Sequence, residues 1–195
     1  MSKNIQIKQE NVLNAYKNAS KEQKELLEHL FGSEVFKPKD VRERIKTFHD
    51  AYCELGNEHP FVKSYEKYVN TASGEEADVI SYLKLRIIAA ALNEGWKPQF
   101  TEDEYRYYPW FYLLTEEEIS EKSEEWKKEH SLWLFGGASY DGAACGLAYA
   151  PSADAWSNSY ARISARLAVK SEELAVYFGK QFIDIWAGYV FNTEE

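Results

Sequence analysis

The sequence predicts an α+β fold in which a helical N-terminal half packs on a small antiparallel sheet with a C-terminal helix. Three observations carry this expectation. The first hundred residues are punctuated by helix caps and four-and-three apolar spacing. Residues 105–114 are dense in strand formers, and residues 160–170 alternate apolar with polar. At 195 residues the chain fits a single domain, 1–195, with a helical half to residue 100 and a mixed half from 101. That length buries a core without disulfides or a structural metal.

Ser20 with Gln23 is a capping-box pattern opening a helix whose Leu26, Leu27, Leu30 and Phe31 form one face, with Gly32 at its end. Asp40 is expected to cap a second helix, along which Val41, Ile45, Phe48, Tyr52 and Leu55 recur until Gly56 stops it. A third helix runs from Pro60, a favoured first-turn residue, through Val69. Ser73 with Glu76 starts a fourth, carrying Ile80, Leu83, Ile87, Ala91 and Leu92 toward a core until Gly95. Between Leu85 and Leu92 it is apolar almost all round, Arg86 apart, so it is expected to be central. Leu83, Ile87 and Phe48 are expected among the most buried residues, with the second and fourth helices packed together.

Tyr105–Leu114 reads as a strand that Pro109 confines to an edge or a bulge. Thr115 with Glu118 caps a charged helix reaching about His130, whose large apolar residues are Ile119 and Trp126 and which is therefore solvated. Ser131 to Ser139 is a predicted strand, Asp141-Gly142 a hairpin turn, and Cys145 to Ala150 the returning strand. Ser152 to Asn158 reads as a polar loop. Tyr160 to Lys170 is a strand of the same sheet, placing Ile163, Leu167 and Val169 on one face and Arg162, Ser164 and Arg166 on the other. Ser171 caps a last helix with Leu174, Phe178, Phe182, Ile185 and Tyr189 on one side.

The net charge of −9 argues against a general nucleic-acid binder, which would carry a basic face. Cys53 and Cys145 lie far apart in unlike contexts and read as reduced core residues. No leader pattern opens the chain and no apolar run nears membrane-spanning length, so a cytoplasmic setting without membrane attachment is expected. His29, His49, His59 and His130 read as surface or cap residues, with no partner at metal-ligand spacing. Phosphate loops, dinucleotide fingerprints and serine elbows are missing from the sequence. Gly136-Gly137-Ala138-Ser139 falls inside a predicted strand rather than at a helix start, where a phosphate cradle needs it. No catalytic residue, metal or cofactor is therefore assigned, and whether the chain is an enzyme stays open, leaning to no.

One constellation suits binding. Arg162 and Arg166, four apart in a strand, share a side with Tyr160 and follow Trp156, Ser157 and Asn158. Guanidinium forks beside aromatic rings suit carboxylates, phosphates or a stacked base. Trp156, Ser157 and Asn158 pair a rigid aromatic with adaptable hydrogen bonders. The same arginines could instead pair with the acidic stretch Glu116 to Glu125. Six Trp and fourteen Tyr suit either a contact surface or a wide aromatic core.

Three stretches carry a family resemblance: Phe36-Lys37-Pro38-Lys39-Asp40 with Glu43-Arg44-Ile45-Lys46-Thr47-Phe48; Ala91-Leu92-Asn93-Glu94-Gly95-Trp96 through Tyr108-Pro109-Trp110-Phe111; and Ala165 to Ser171 through Gly179-Lys180-Gln181-Phe182. Together they resemble uncharacterised proteins of gut Bacteroidetes phages and prophages, from about Phe36 to Tyr189. The chain departs from that pattern at Ser164-Ala165, where a Gly-Ser pair is expected. The resemblance implies a viral or mobile-element origin and no chemistry. The function expected is non-enzymatic capture of a host molecule: a small anionic or aromatic ligand such as a nucleotide-like immune signal, or a host defence protein. A virion structural or accessory surface module and an enzyme of unrecognised type are the alternatives. Self-association into a homo-oligomer is also expected.

Overall fold

A computed structural model of the chain describes residues 6–71, 76–98, 104–134, 146–156 and 167–191, with the backbone alone for 151–156. Its contacts divide the chain into two units, Met1–Arg44 and Ile45–Glu195.

The first unit holds α1 (Gln9–Lys17), α2 (Lys21–Phe31), a 3-10 turn at Ser33–Phe36 and the short α3 (Val41–Arg44). The capping box at the start of α2 is formed on both sides: Ser20 Oγ accepts from the Gln23 N–H, and the Gln23 side chain accepts from the Ser20 N–H. Tyr16 stacks on Phe36 with ring centroids 4.1 Å apart, and its hydroxyl donates to Glu28. The apolar stripe of α2 is not core. Leu26, Leu30 and Phe31 are exposed, and the helix has no buried residue.

The expected single helix from Asp40 to Leu55 is two helices. Asp40 Oδ1 accepts from the Arg42 N–H and opens α3, but the chain leaves helical geometry before α4 (Phe48–Leu55). The reason is a second capping box. Thr47 Oγ1 accepts from the Asp50 N–H at 3.1 Å and Asp50 accepts from the Thr47 N–H at 2.9 Å, satisfying donors that a continuous helix would have consumed. Gly56, at φ 74°, ends α4 as expected. Cys53 is exposed, a correction to the core reading. Ala51 is the residue of α4 that is fully buried, and the cysteine lies off that face.

In the Ile45–Glu195 unit, α5 (Pro60–Val69) and α6 (Ala77–Leu92) follow. Leu85, Ile87, Ile88 and Leu92 of α6 are fully enclosed, in keeping with a central helix. Phe48 and Leu83 are only half-buried, against expectation. Phe48 sits edge-on to Tyr52 and Tyr65, at the margin of the contact between α4 and α6.

The sheet has the order β1-β3-β2 and is antiparallel throughout. Its strands are β1 (Tyr105–Leu114), β2 (Trp133–Leu134) and β3 (Gly146–Trp156). The register shifts between Tyr108 and Trp110, placing the bulge at Pro109, which has no N–H to give a ladder. Between β1 and β2 the charged stretch is again two helices, α7 (Glu116–Ser120) and α8 (Glu124–Glu129), because Ser123 caps the second on the Trp126 N–H. Neither buries a residue, as a solvated segment should.

Two further expectations change. Ser152 to Trp156, read as loop, extends β3, because Arg106 to Tyr108 of β1 supply partners for residues poor in strand formers. The last helix is α9 (Glu172–Gln181) and α10 (Ile183–Phe191), parted at Phe182. The hairpin turn at Asp141-Gly142, Cys145 and most of the Tyr160 to Lys170 strand lie outside the described residues. Of that strand, Val169 forms an antiparallel bridge with Tyr107.

Packing sets the order of layers in this unit. α9 lies against β1 and β3, α10 packs on α6 and α9, and α4 and α5 cover α6. An aromatic chain runs from sheet to helices: Phe111 meets Trp186 at 5.1 Å, and Trp186 meets Phe178 at 5.0 Å. Gly179 permits the close approach of α9, since a Cβ there would come within 2.7 Å of the Tyr149 ring and 2.9 Å of Pro109. No described helix is long and apolar enough to cross a membrane.

Candidate functional site

The C-terminal end of α6 sets a polar side chain inside the core. Asn93, buried, donates from Nδ2 to the Ala168 carbonyl at 2.9 Å and accepts at Oδ1 from the Lys170 N–H at 3.0 Å. This single amide ties α6 to the segment before α9. The turn that follows needs left-handed backbone, at Glu94 with φ 49° and Gly95 with φ 86°. It swings Trp96, Lys97 and Pro98 back beside α6.

A cavity of about 800 Å³ lies there. That falls within the range of roughly 300–1,000 Å³ typical of small-molecule sites. Leu55 at the end of α4, His59 and Phe61 at the start of α5, Arg86 on α6, and Trp96 and Lys97 beyond it form its walls. The surrounding surface is mainly apolar, with Arg86, Lys97, His59, Asn93 and Trp96 as its polar side chains.

Arg86 is the one charged residue within the apolar Leu85–Leu92 run of α6. Its guanidinium carbon stands 4.0 Å from the Phe61 ring centroid and 5.8 Å from that of Tyr82. Among the described residues its enclosed Nε has no hydrogen-bond partner. Stacking on rings offsets part of the desolvation cost, by about 0.5–2 kcal/mol, but it supplies no acceptor for the Nε–H.

The other polar members are held in place. Trp96 Nε1 donates to Glu104 Oε1 at 3.1 Å, fixing the indole plane. His59 caps α5, its Nδ1 accepting from the Phe61 N–H at 3.2 Å. The neutral ring thus carries its proton on Nε2. Burial, and then the charge of Lys97, hold His59 below the usual imidazole range. Glu94 is engaged with Lys170 at 2.6 Å. The wall therefore presents positive charge in a chain whose net charge is −9.

The residues that sequence reasoning selected are placed elsewhere or outside the description. Trp156 ends β3, with its backbone opposite Tyr105. Ser157, Asn158, Tyr160, Arg162 and Arg166 lie outside the described residues. The cavity residues were missed because they come from three separated stretches, 55–61, 86–98 and 168. Arg86 did carry a signal, as a lone charge in an otherwise apolar helical run. The histidine reading holds for His59, a cap, and for His130, which follows α8 and stacks on Trp126 at 4.1 Å. It overlooked that His49 and Cys53 stand four apart on one helix.

Compared with protein-family models, curated proteins and solved structures, the chain matches none.

Proposed function

We propose that this protein is a non-enzymatic, phage-encoded binding protein that captures a small anionic aromatic molecule of the host, nucleotide-like in class, in the cavity beside α6. The observation that carries the reading is Arg86: a half-buried cation set in an apolar wall of the cavity and stacked on Phe61. Lys97 adds a second charge, and the fixed indole of Trp96 offers a face on which a planar ring can stack. Apolar surface from Leu55, Pro60 and Ala89 would cover the rest of such a ligand. The family resemblance supports a phage or prophage source.

The test is a thermal-shift panel of nucleotides, cyclic nucleotides and aryl carboxylates, followed by calorimetry on the strongest hit. Arg86→Met keeps an unbranched apolar stem while removing the guanidinium and its charge. Loss of a charge-assisted hydrogen bond costs about 1.5–3 kcal/mol, so affinity is expected to fall roughly ten- to a hundredfold. The fold should survive, because the variant keeps the apolar stem on α6 and removes a polar atom that has no hydrogen-bond partner among the described residues. Equal affinity in the wild type and the variant would remove the site.

A further inference from the structure

We propose that His49 and Cys53 form a two-point chelate for a soft divalent cation of the zinc class on the outer face of α4. The inference is independent of the cavity. Residues four apart on a helix are neighbours on one face, and α4 is fixed at both ends, by the Thr47–Asp50 capping box and by Gly56. Both side chains are exposed, and Cys53 Sγ lies 3.4 Å from His49 Nε2.

That separation is the bite a tetrahedral ion requires. With a zinc–sulfur bond of about 2.3 Å and a zinc–nitrogen bond of about 2.0 Å, tetrahedral geometry places the two donors about 3.5 Å apart. The rotamers present would thus need little adjustment on binding. In the neutral ring with its proton on Nδ1, Nε2 has the lone pair with which an imidazole ligates a metal. A thiol proton held between them occupies the place of the ion, and it leaves to solvent as the metal–sulfur bond forms, so affinity falls as pH is lowered. Unpaired cysteine is ordinarily among the most buried residue types. Here it stands in solvent beside an imidazole, and the acidic Asp50 interacts electrostatically with that same histidine. Thiolate with imidazole selects zinc and its soft neighbours over calcium or magnesium. Among the described residues no group of three or more ligating side chains forms, and water or a ligand brought from outside would complete the tetrahedron.

The experiment titrates Co2+ into chelator-stripped full-length protein and follows the thiolate-to-cobalt absorption band, with Zn2+ competing it away. The wild type should develop the band at one ion per chain, and Cys53→Ser should show none. Removing even an outer-shell partner of a metal ligand costs about 10–100-fold, so His49→Gln, which removes a ligand itself, should weaken binding at least about tenfold. Zn2+ should raise the Tm of the wild type and leave that of Cys53→Ser unchanged. Both positions are exposed, so the variants should melt like the wild type in chelator. A wild type without the band, a band that persists in Cys53→Ser and so belongs to Cys145, or a His49→Gln titration equal to wild type would each overturn the site.

Discussion

Phe178→Ala should destabilise the Ile45–Glu195 unit by about 3–5 kcal/mol, the cost of removing a buried phenylalanine from a close-packed interior. Phe178 is completely enclosed. It contacts Phe182 at 6.2 Å and Trp186 at 5.0 Å, and Trp186 in turn reaches Phe111 on the sheet. The α9–α10 pair cannot collapse into the void, because Gly179 already brings α9 against Tyr149 and Pro109. The loss should therefore lie toward the upper part of that range. All six tryptophans belong to this unit, so urea unfolding followed by tryptophan fluorescence reports on it directly. Phe178→Leu, which leaves a smaller void, should lose less. A Phe178→Ala midpoint close to that of the wild type would mean that the aromatic chain does not hold sheet and helices together.

Asn93→Ala is the second large effect, expected at about 2–5 kcal/mol. Two hydrogen bonds disappear, and the Ala168 carbonyl and Lys170 N–H are left without them inside the protein. The stranded groups cost more than the bonds themselves, since each must be desolvated without a replacement. Asn93→Asp separates the two halves of the effect. It keeps an acceptor for Lys170 but sets a carboxylate oxygen against the Ala168 carbonyl, so it should be no better than alanine. Hydrogen exchange at the Lys170 amide should accelerate in both variants. A stability change within about 0.5 kcal/mol for Asn93→Ala would show that the amide is not the tie between α6 and the start of α9.

Local chemistry was legible and distant assembly was not. The Ser20–Gln23 and Thr115–Glu118 capping boxes and the Ser171 cap were readable because each joins residues three apart. Pro109 announced its bulge for the same reason: a missing N–H is a property of one residue. Apolar periodicity misled where a cap interrupts it, at Thr47–Asp50, because the repeat from Val41 to Leu55 continues through a break that only the hydrogen bonds reveal. Cys53 looked like core on the same periodic pattern. The second half of β3 was hidden because Ser152 to Trp156 has weak strand chemistry and takes its conformation from β1, some fifty residues earlier in the chain. The cavity lay further still from sequence reasoning. Its arginine was visible as an exception within α6, but Phe61 beneath it and Lys97 beyond it become neighbours only through packing.

High aromatic content suited either a binding surface or a core, and the described rings divide between core and exposed positions. Tyr108, Tyr149, Phe178, Phe182 and Trp186 are buried, whereas Trp110 and Tyr112 stay exposed on β1.

The most direct measurement of the proposed ligand capture beside α6 is a two-dimensional NMR titration that observes the arginine Nε–H and tryptophan indole N–H signals with the strongest ligand of the panel. Binding in the cavity predicts that the Arg86 Nε–H and Trp96 indole signals move together at saturation, while that of Trp126 on α8 stays in place. Movement confined to Trp156, Arg162 and Arg166, with Arg86 and Trp96 unmoved, would contradict the cavity and return the site to the arginine-bearing stretch first selected from the sequence.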